Sequence, residues 1–101
     1  MGLTIQLTEH RYCPVAICDV CDEPVTKYGN VEYLVDEKGR PEEPLTLYVT
    51  HKGCSRGLEH RLGRYTYSEE LSTYLWRLVH NSEIDLADGE KRARDLAAAG
   101  L

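Results

Sequence analysis

The sequence predicts an α+β fold, with short strands in the first half of the chain and helices in the second half. Residues 3–7, 30–35 and 45–50 alternate apolar and polar side chains, which is typical of strands with one buried face. Residues 71–79 instead place apolar side chains three and four apart, the spacing of an amphipathic helix. A chain of 101 residues has the size of one domain, so we expect residues 1–101 to share one core.

The strands are expected to be short and antiparallel. A second strand over residues 15–17 follows Pro14, which has no amide hydrogen and therefore belongs at a strand start or a sheet edge. Residues 30–35 and 45–50 predict a hairpin, and the polar segment 36–44, with its Gly and Pro residues, would form the hairpin's long tip.

Two helices are predicted to follow the hairpin. The first covers residues 55–62, because its leucines are four apart and Gly63 is a suitable C-terminal stop. The second should begin at Thr66 and Glu69, which fit a capping box, where both side chains accept from free backbone amides. Asn81 would end this second helix.

A last helix is predicted over residues 86–99, after a further capping signal at Ser82 and Asp85. Its acid-before-base pairs four residues apart each stabilise a helix by about 0.2–0.5 kcal/mol. One face carries mostly small residues, so we expect this helix to pack closely against a neighbouring helix. The residues of that face are Leu86, Gly89, Ala93, Leu96 and Ala97.

Four potential metal ligands occur in two tight pairs, Cys18-x-x-Cys21 and His51-x-x-Cys54. Thiolate and imidazole are ligands that zinc prefers, and four protein ligands fill a tetrahedral, structural site. The second pair joins the end of a predicted strand to the start of a helix, whose free amides and positive dipole end favour thiolates. The sequence therefore predicts one structural Zn²⁺ held by these four residues.

Other interpretations of the cysteines remain open. Cys18 and Cys21 could form a redox pair, although that motif is expected beside a βαβ unit, or the thiols could be inert. Cys13 could replace His51 as the fourth ligand. Because its spacing from Cys18 is looser than that within the pairs, we expect Cys13 to be a small buried apolar side chain.

The order of a C-x2-C turn, a hairpin and H-x2-C at a helix start resembles the treble-clef zinc fingers, including LIM-type modules, over residues 15–63. The resemblance implies a zinc finger unit at about 13–63 and does not extend to the helical extension at about 66–99. Twenty-nine residues separate the two pairs, more than in a compact LIM module, and we expect the extra length in the hairpin tip. Treble-clef proteins differ widely in function, so the resemblance implies a fold and not an activity.

We predict that the protein is not an enzyme. Four protein ligands leave no open position on zinc. His10, His60 and His80 form no recognisable nucleophile or base arrangement, and the sequence has no zinc-protease motif or phosphate-binding glycine loop.

Charge and hydropathy indicate where the protein acts. The net charge is −5, yet residues 51–68 hold four bases and one acid. No apolar run approaches the ~18 residues of a membrane span, and the first ten residues do not resemble a signal peptide. We therefore expect a cytoplasmic protein that does not enter a membrane.

Two functions from different classes are compatible with these features. The first is a protein-interaction adaptor or regulator. Trp76 lies off the apolar stripe of its helix, and either packs on the last helix, which we favour, or is exposed as an interface anchor. The second is nucleic-acid binding along the zinc helix, although the acidic net charge disfavours it. The basic residues for that function are Lys52, Arg56, Arg61 and Arg64.

Overall fold

The structure is a computed structural model that describes residues 2–8 and 11–100. It is a mixed α/β fold with two small sheets and three helices, which agrees with the predicted α+β class. A 3₁₀ turn at Lys52–Cys54 precedes the first helix. The elements are β1 (Leu3–Thr8), β2 (Arg11–Ala16), β3 (Asn30–Tyr33), β4 (Tyr48–Thr50), α1 (Ser55–Leu62), β5 (Tyr67–Glu70), α2 (Leu71–Asn81) and α3 (Leu86–Ala98).

The first sheet is a two-stranded antiparallel ribbon of β1 and β2. Pro14 pairs with Ile5, and its missing amide hydrogen is tolerated because each strand of a two-stranded ribbon has a free edge. The second strand starts at Arg11, earlier than predicted, because the pairing with β1 continues to the end of the ribbon. The sequence also predicts a break in the strand pattern at residues 9–11, but Arg11 already belongs to β2. Residues 9 and 10, and with them His10, lie outside the described residues.

The second sheet has three antiparallel strands in the order β4-β3-β5. The predicted hairpin of β3 and β4 is present. Its return strand is shorter than expected, since β4 covers Tyr48–Thr50 while Leu45 and Leu47 lie outside it and are exposed. The missing extension belongs to the long loop at the hairpin tip, which leads from β3 to β4.

The capping box predicted at Thr66 and Glu69 is wrong. Residues 67–70 form β5, which pairs with β3, and α2 begins only at Leu71 with no side-chain hydrogen bond at its cap. The Thr66 hydroxyl instead donates to Glu32 Oε1 at 2.8 Å. A local helix-start signal is overridden here by strand pairing with a distant segment, which no window of the sequence contains.

Glu32 on β3 is a fully buried carboxylate at the junction of four elements. It accepts hydrogen bonds from the hydroxyls of Thr50 on β4, Ser55 at the start of α1 and Thr66 before β5. Because a buried polar group is stable only when it is hydrogen-bonded, this network fixes how the sheet and α1 meet.

The core is small and lies between the two sheets and α1. The core includes Val31 on β3 and Leu58 on α1, which are both buried. The helix α1 has the predicted bounds, and Gly63 ends it in the left-handed conformation, with φ 70° and its N–H donating to Glu59 O at 2.8 Å. The central apolar cluster consists of Cys18, Val25 and Val49, packed against Ala16, Val20, Cys54 and Leu71.

The two C-terminal helices differ in how they attach to the fold. α2 contacts β3 and β5, and Leu71 at its start reaches the central cluster. α3 does not pack closely on a neighbour as expected, since its residues are exposed except for Ala97, which is half-buried. In the part of the chain that the structure describes, no helix is long and apolar enough to cross a membrane.

Local interactions stabilise α3. Asp85 caps it by accepting from the backbone amides of Ala87 and Asp88, so this residue, and not Ser82, is the N-cap. The predicted side-chain pairs Asp88–Arg92 and Glu90–Arg94 are present, at 3.0 and 2.8 Å.

Candidate metal centre

The structure brings together Cys18, Cys21, His51 and Cys54, the four residues of the two sequence pairs. Their potential ligand atoms all lie within 4.8 Å of one another, so this Cys₃His group can hold a metal ion. Cys18 is fully buried in the central cluster, and Cys21 is exposed. The site therefore lies at the edge of the core, with one side open to solvent.

A tight turn positions the first pair of cysteines. The Asp22 amide donates to Cys18 O at 3.0 Å, and the Cys18 amide donates to Glu23 O at 2.9 Å. Asp22 has a positive φ of 61°, a conformation that Asp tolerates better than most residues. The Val20 amide points at Cys18 Sγ, 3.4 Å away, and so stabilises negative charge on that sulfur.

The 3₁₀ turn after β4 positions the second pair. The Cys54 amide donates to His51 O at 2.9 Å, and this compact turn brings both side chains to one side of the backbone. Cys54 is the residue immediately before α1, where the helix dipole favours a thiolate.

The His51 ring is oriented by the protein. Its Nε2 lies 2.9 Å from Pro24 O, and a carbonyl can only accept, so the proton belongs on Nε2. Nδ1 then keeps its lone pair and faces Cys21 Sγ at 3.3 Å and Cys54 Sγ at 3.8 Å. A second-sphere carbonyl that fixes the tautomer in this way is typical of metal-binding histidines.

The spacing of the donor atoms fits a tetrahedral ion. Metal–sulfur bonds of about 2.3 Å and metal–nitrogen bonds of about 2.0 Å place tetrahedral ligand atoms roughly 3.5–3.8 Å apart. The distances from His51 Nδ1 to the sulfurs of Cys21 and Cys54, 3.3 and 3.8 Å, lie close to that range.

The thiols differ strongly in acidity. Burial opposes ionisation of Cys18, but backbone amides of Cys21, His51 and Val20 donate to its sulfur and lower its pKa to about 6. Burial, together with the neighbouring Cys18 and Cys21 sulfurs, raises the pKa of Cys54 to about 11. Thiolates this close repel one another, so a bound cation is what would allow them to be ionised together.

Asp19 and Arg61 attach the first cysteine turn to the rest of the fold. The Val49 amide donates to Asp19 Oδ2 at 2.7 Å, and the Asp19 amide donates back to Val49 O at 2.7 Å. Arg61 on α1 donates to the carbonyls of Asp19 and Val20, at 2.8 and 3.3 Å. The sequence suggests Arg61 only as a nucleic-acid contact, and no local pattern indicates this bracing role.

Cys13 lies outside the cluster. It is half-buried on β2, and the group of ligand atoms found among the described residues does not include it. The alternative set of four cysteines is therefore not assembled in this fold. None of the four cysteines forms a disulfide bond.

The basic residues around α1 are partly engaged. Lys52 pairs with Glu70, and Arg64 pairs with Glu42 at 2.7 Å. The hydrogen bond from Arg64 holds the pKa of the Glu42 carboxyl below its usual value. Arg56 is exposed.

Trp76 is exposed, contrary to the packing that we favoured. Its side chain is 65% exposed and stacks on His80, with ring centroids 4.8 Å apart and planes 11° apart. His60 is exposed on α1. Neither histidine belongs to the Cys₃His cluster.

These observations define a small mixed α/β protein with a Cys₃His cluster that can hold a metal ion. Comparisons of the chain with protein-family models, with curated proteins and with solved structures find no match.

Proposed function

We propose that the cluster binds one structural Zn²⁺ and that the surrounding fold is of the treble-clef type. Three features support the proposal. The donor set of three thiols and an imidazole is typical of structural zinc. His51 Nδ1 lies 3.3 and 3.8 Å from the sulfurs of Cys21 and Cys54, close to tetrahedral spacing, and all four ligand atoms lie within 4.8 Å of one another. The chain order of cysteine turn, hairpin and second pair before α1 follows that of a treble clef.

Native mass spectrometry tests the identity and number of the metal ions. We expect one zinc per chain in wild-type protein, and loss of zinc in Cys54→Ser. Cys13→Ser is the matched control, since its thiol lies outside the cluster, and it should retain one zinc. Zinc lost equally from both variants, or a metal other than zinc in the wild type, would refute this assignment.

We propose further that the protein is a non-catalytic protein-interaction adaptor or regulator. The observation that carries this proposal is an exposed apolar depression of about 550 Å³ where α2 turns into α3. We call it the elbow groove, and its apolar residues are Leu75, Trp76, Val79, Ile84 and Leu86.

The composition of the elbow groove favours a protein as the partner. Trp76, Ile84 and Leu86 are 65%, 49% and 61% exposed, and clustered exposed apolar side chains mark interaction sites in soluble proteins. Tryptophan is among the residues that contribute most binding energy in protein interfaces. The adjoining helix α3 also has a mostly free surface, which a partner can cover.

The test compares Trp76→Ala with Tyr65→Ala, a variant of another exposed aromatic residue. Tagged wild-type protein is isolated under native conditions, and sedimentation and mass spectrometry identify what binds. We expect Trp76→Ala alone to lose the partner while its zinc content and melting temperature stay unchanged. Loss of the fold in Trp76→Ala, or equal binding by both variants, would oppose the proposal, and self-association would identify a second copy as the partner.

Nucleic-acid binding is a second candidate, favoured by a shallow depression on α1 that Arg56, His60 and Tyr65 line. Tyr65 is 88% exposed, and an aromatic ring beside exposed bases is the usual platform for single-stranded nucleic acid. Gel-shift assays at low salt test it, because electrostatic binding is strongest there. A shift that Arg56→Ala abolishes would support this function, and no shift at low salt would eliminate it.

A further inference from the structure

A second depression lies on the opposite flank of α2 from the elbow groove. It has a volume of about 260 Å³ and lies between α2 and the long loop before β4. We call it the tyrosine groove. Its lining includes three apolar residues, two aromatic rings and one carboxylate, namely Leu45, Leu47, Leu78, Tyr33, Tyr74 and Glu69.

The carboxylate of Glu69 has one unused oxygen. Its side chain is 10% exposed, and Oε1 accepts from Arg77 Nη1 at 2.6 Å. Oε2 is buried and has no hydrogen-bond partner among the residues that the structure describes. A carboxylate has about four acceptor positions, and a buried oxygen without a donor is unfavourable unless a ligand supplies one.

The Glu69 carboxylate affects the pKa of a tyrosine in the tyrosine groove. Burial, followed by Tyr67 and the carboxylate of Glu69, raises the pKa of the Tyr33 hydroxyl. The raised pKa favours the neutral form of Tyr33 beside Glu69. Arg77 also lines the groove. Its side chain is 58% exposed and contacts Oε1 of Glu69, so Oε2 remains for a second donor.

We propose that the tyrosine groove binds one arginine side chain of a protein partner. The aliphatic stem lies against the leucines, and the guanidinium reaches Glu69 Oε2 while Arg77 keeps Oε1. A guanidinium suits this site better than an ammonium, because it is planar, stacks on aromatic faces and is more weakly hydrated. The groove is smaller than typical small-molecule pockets of roughly 300–1,000 Å³, which matches a single side chain. That the arginine belongs to a protein partner rests on the proposed interaction function.

The test uses butylguanidinium as the probe and the full-length, metal-loaded protein. Amide chemical shifts are followed during a titration by NMR. We expect saturable shifts at Tyr33, Leu47 and Tyr74, and a loss of affinity of about tenfold in Glu69→Gln, because a charge-assisted hydrogen bond becomes a neutral one. Glu70→Gln is the matched control, since Glu70 is the next residue along and pairs with Lys52 outside the groove.

A second variant keeps the test decisive if Glu69→Gln does not fold. Leu47→Asn changes an exposed wall residue, and it should weaken probe binding while the spectrum stays well dispersed. Butylurea, which is uncharged, and butylammonium, which is not planar, should bind more weakly than butylguanidinium. The proposal is overturned by an absence of saturable shifts in the groove, by equal affinities in Glu69→Gln and Glu70→Gln, or by equal binding of butylammonium.

The outcomes separate this inference from the proposed function. Trp76 lies on the other flank of α2, so Trp76→Ala should bind butylguanidinium like wild type. Probe binding without any protein partner would support the arginine site and contradict the adaptor function. A partner lost in Trp76→Ala, together with no probe binding, would overturn the arginine site alone.

Discussion

Glu32 is the residue on which β3, β4, α1 and the segment before β5 converge. We expect Glu32→Ala to lower the free energy of unfolding by about 3 kcal/mol, because one buried and two half-buried hydroxyls lose their acceptor. Glu32→Gln should cost less, since an amide oxygen still accepts. Urea denaturation measures both, with the exposed Glu37→Ala as control, and an equal effect of Glu32→Ala and Glu37→Ala would contradict this role.

Gly29 is buried where the chain enters β3. A Cβ at this position would lie 2.5 Å from Val25 Cγ1 and 3.0 Å from Thr50 O. Gly29→Ala should therefore destabilise the protein by about 1–3 kcal/mol through overpacking. Gly89→Ala on α3 is the control, because its Cβ meets nothing within 4 Å and alanine favours helix. Thermal unfolding measures the stability of both variants. A Gly29→Ala protein as stable as wild type would show that neighbouring residues shift to accommodate the added methyl group.

At the scale of elements, sequence reasoning succeeded where the signals are local. The bounds of α1 follow from its leucine spacing and Gly63, and the two pairs of potential metal ligands, which the fold brings together, come from spacings of three residues. It failed where the structure depends on contacts between segments that are distant in the sequence. The sequence predicts a helix cap at Thr66, but the Thr66 hydroxyl donates to Glu32 on the distant strand β3. The bond from Arg61 to Asp19 likewise joins residues 42 apart in the sequence.

The helix α3 provides an element-scale prediction. Its surface is almost wholly exposed, and a free helix of this length is only marginally stable in water. Asp85→Ala should destabilise α3 by about 1 kcal/mol through loss of its cap. Hydrogen exchange should show faster exchange in α3 and unchanged exchange in β3. The control is Asp95→Ala, since Asp95 lies near the negative end of the helix dipole and its removal should not weaken α3. Faster exchange throughout the protein would mean that α3 is coupled to the core.

At the scale of the whole molecule, the Cys₃His cluster joins the first cysteine turn to the end of β4 and the start of α1. Cys18 belongs to the central apolar cluster with Val25 and Val49, and the second ligand pair connects β4 to α1. A domain of this size has a net stability of about 5–15 kcal/mol. Structural zinc contributes about 10–16 kcal/mol in small zinc-finger peptides, so the proposed zinc ion would contribute as much as the whole net stability.

We therefore expect removal of the metal to unfold the protein. After chelation, confirmed by mass spectrometry, the cooperative thermal transition should disappear and the amide spectrum of both sheets should lose its dispersion. Added Zn²⁺ should restore both. Because Asp19 and Arg61 still brace the first cysteine turn without metal, the alternative outcome is a stable apoprotein held by those contacts. A metal-free protein with an unchanged melting temperature would establish that alternative and leave the ion a role other than folding.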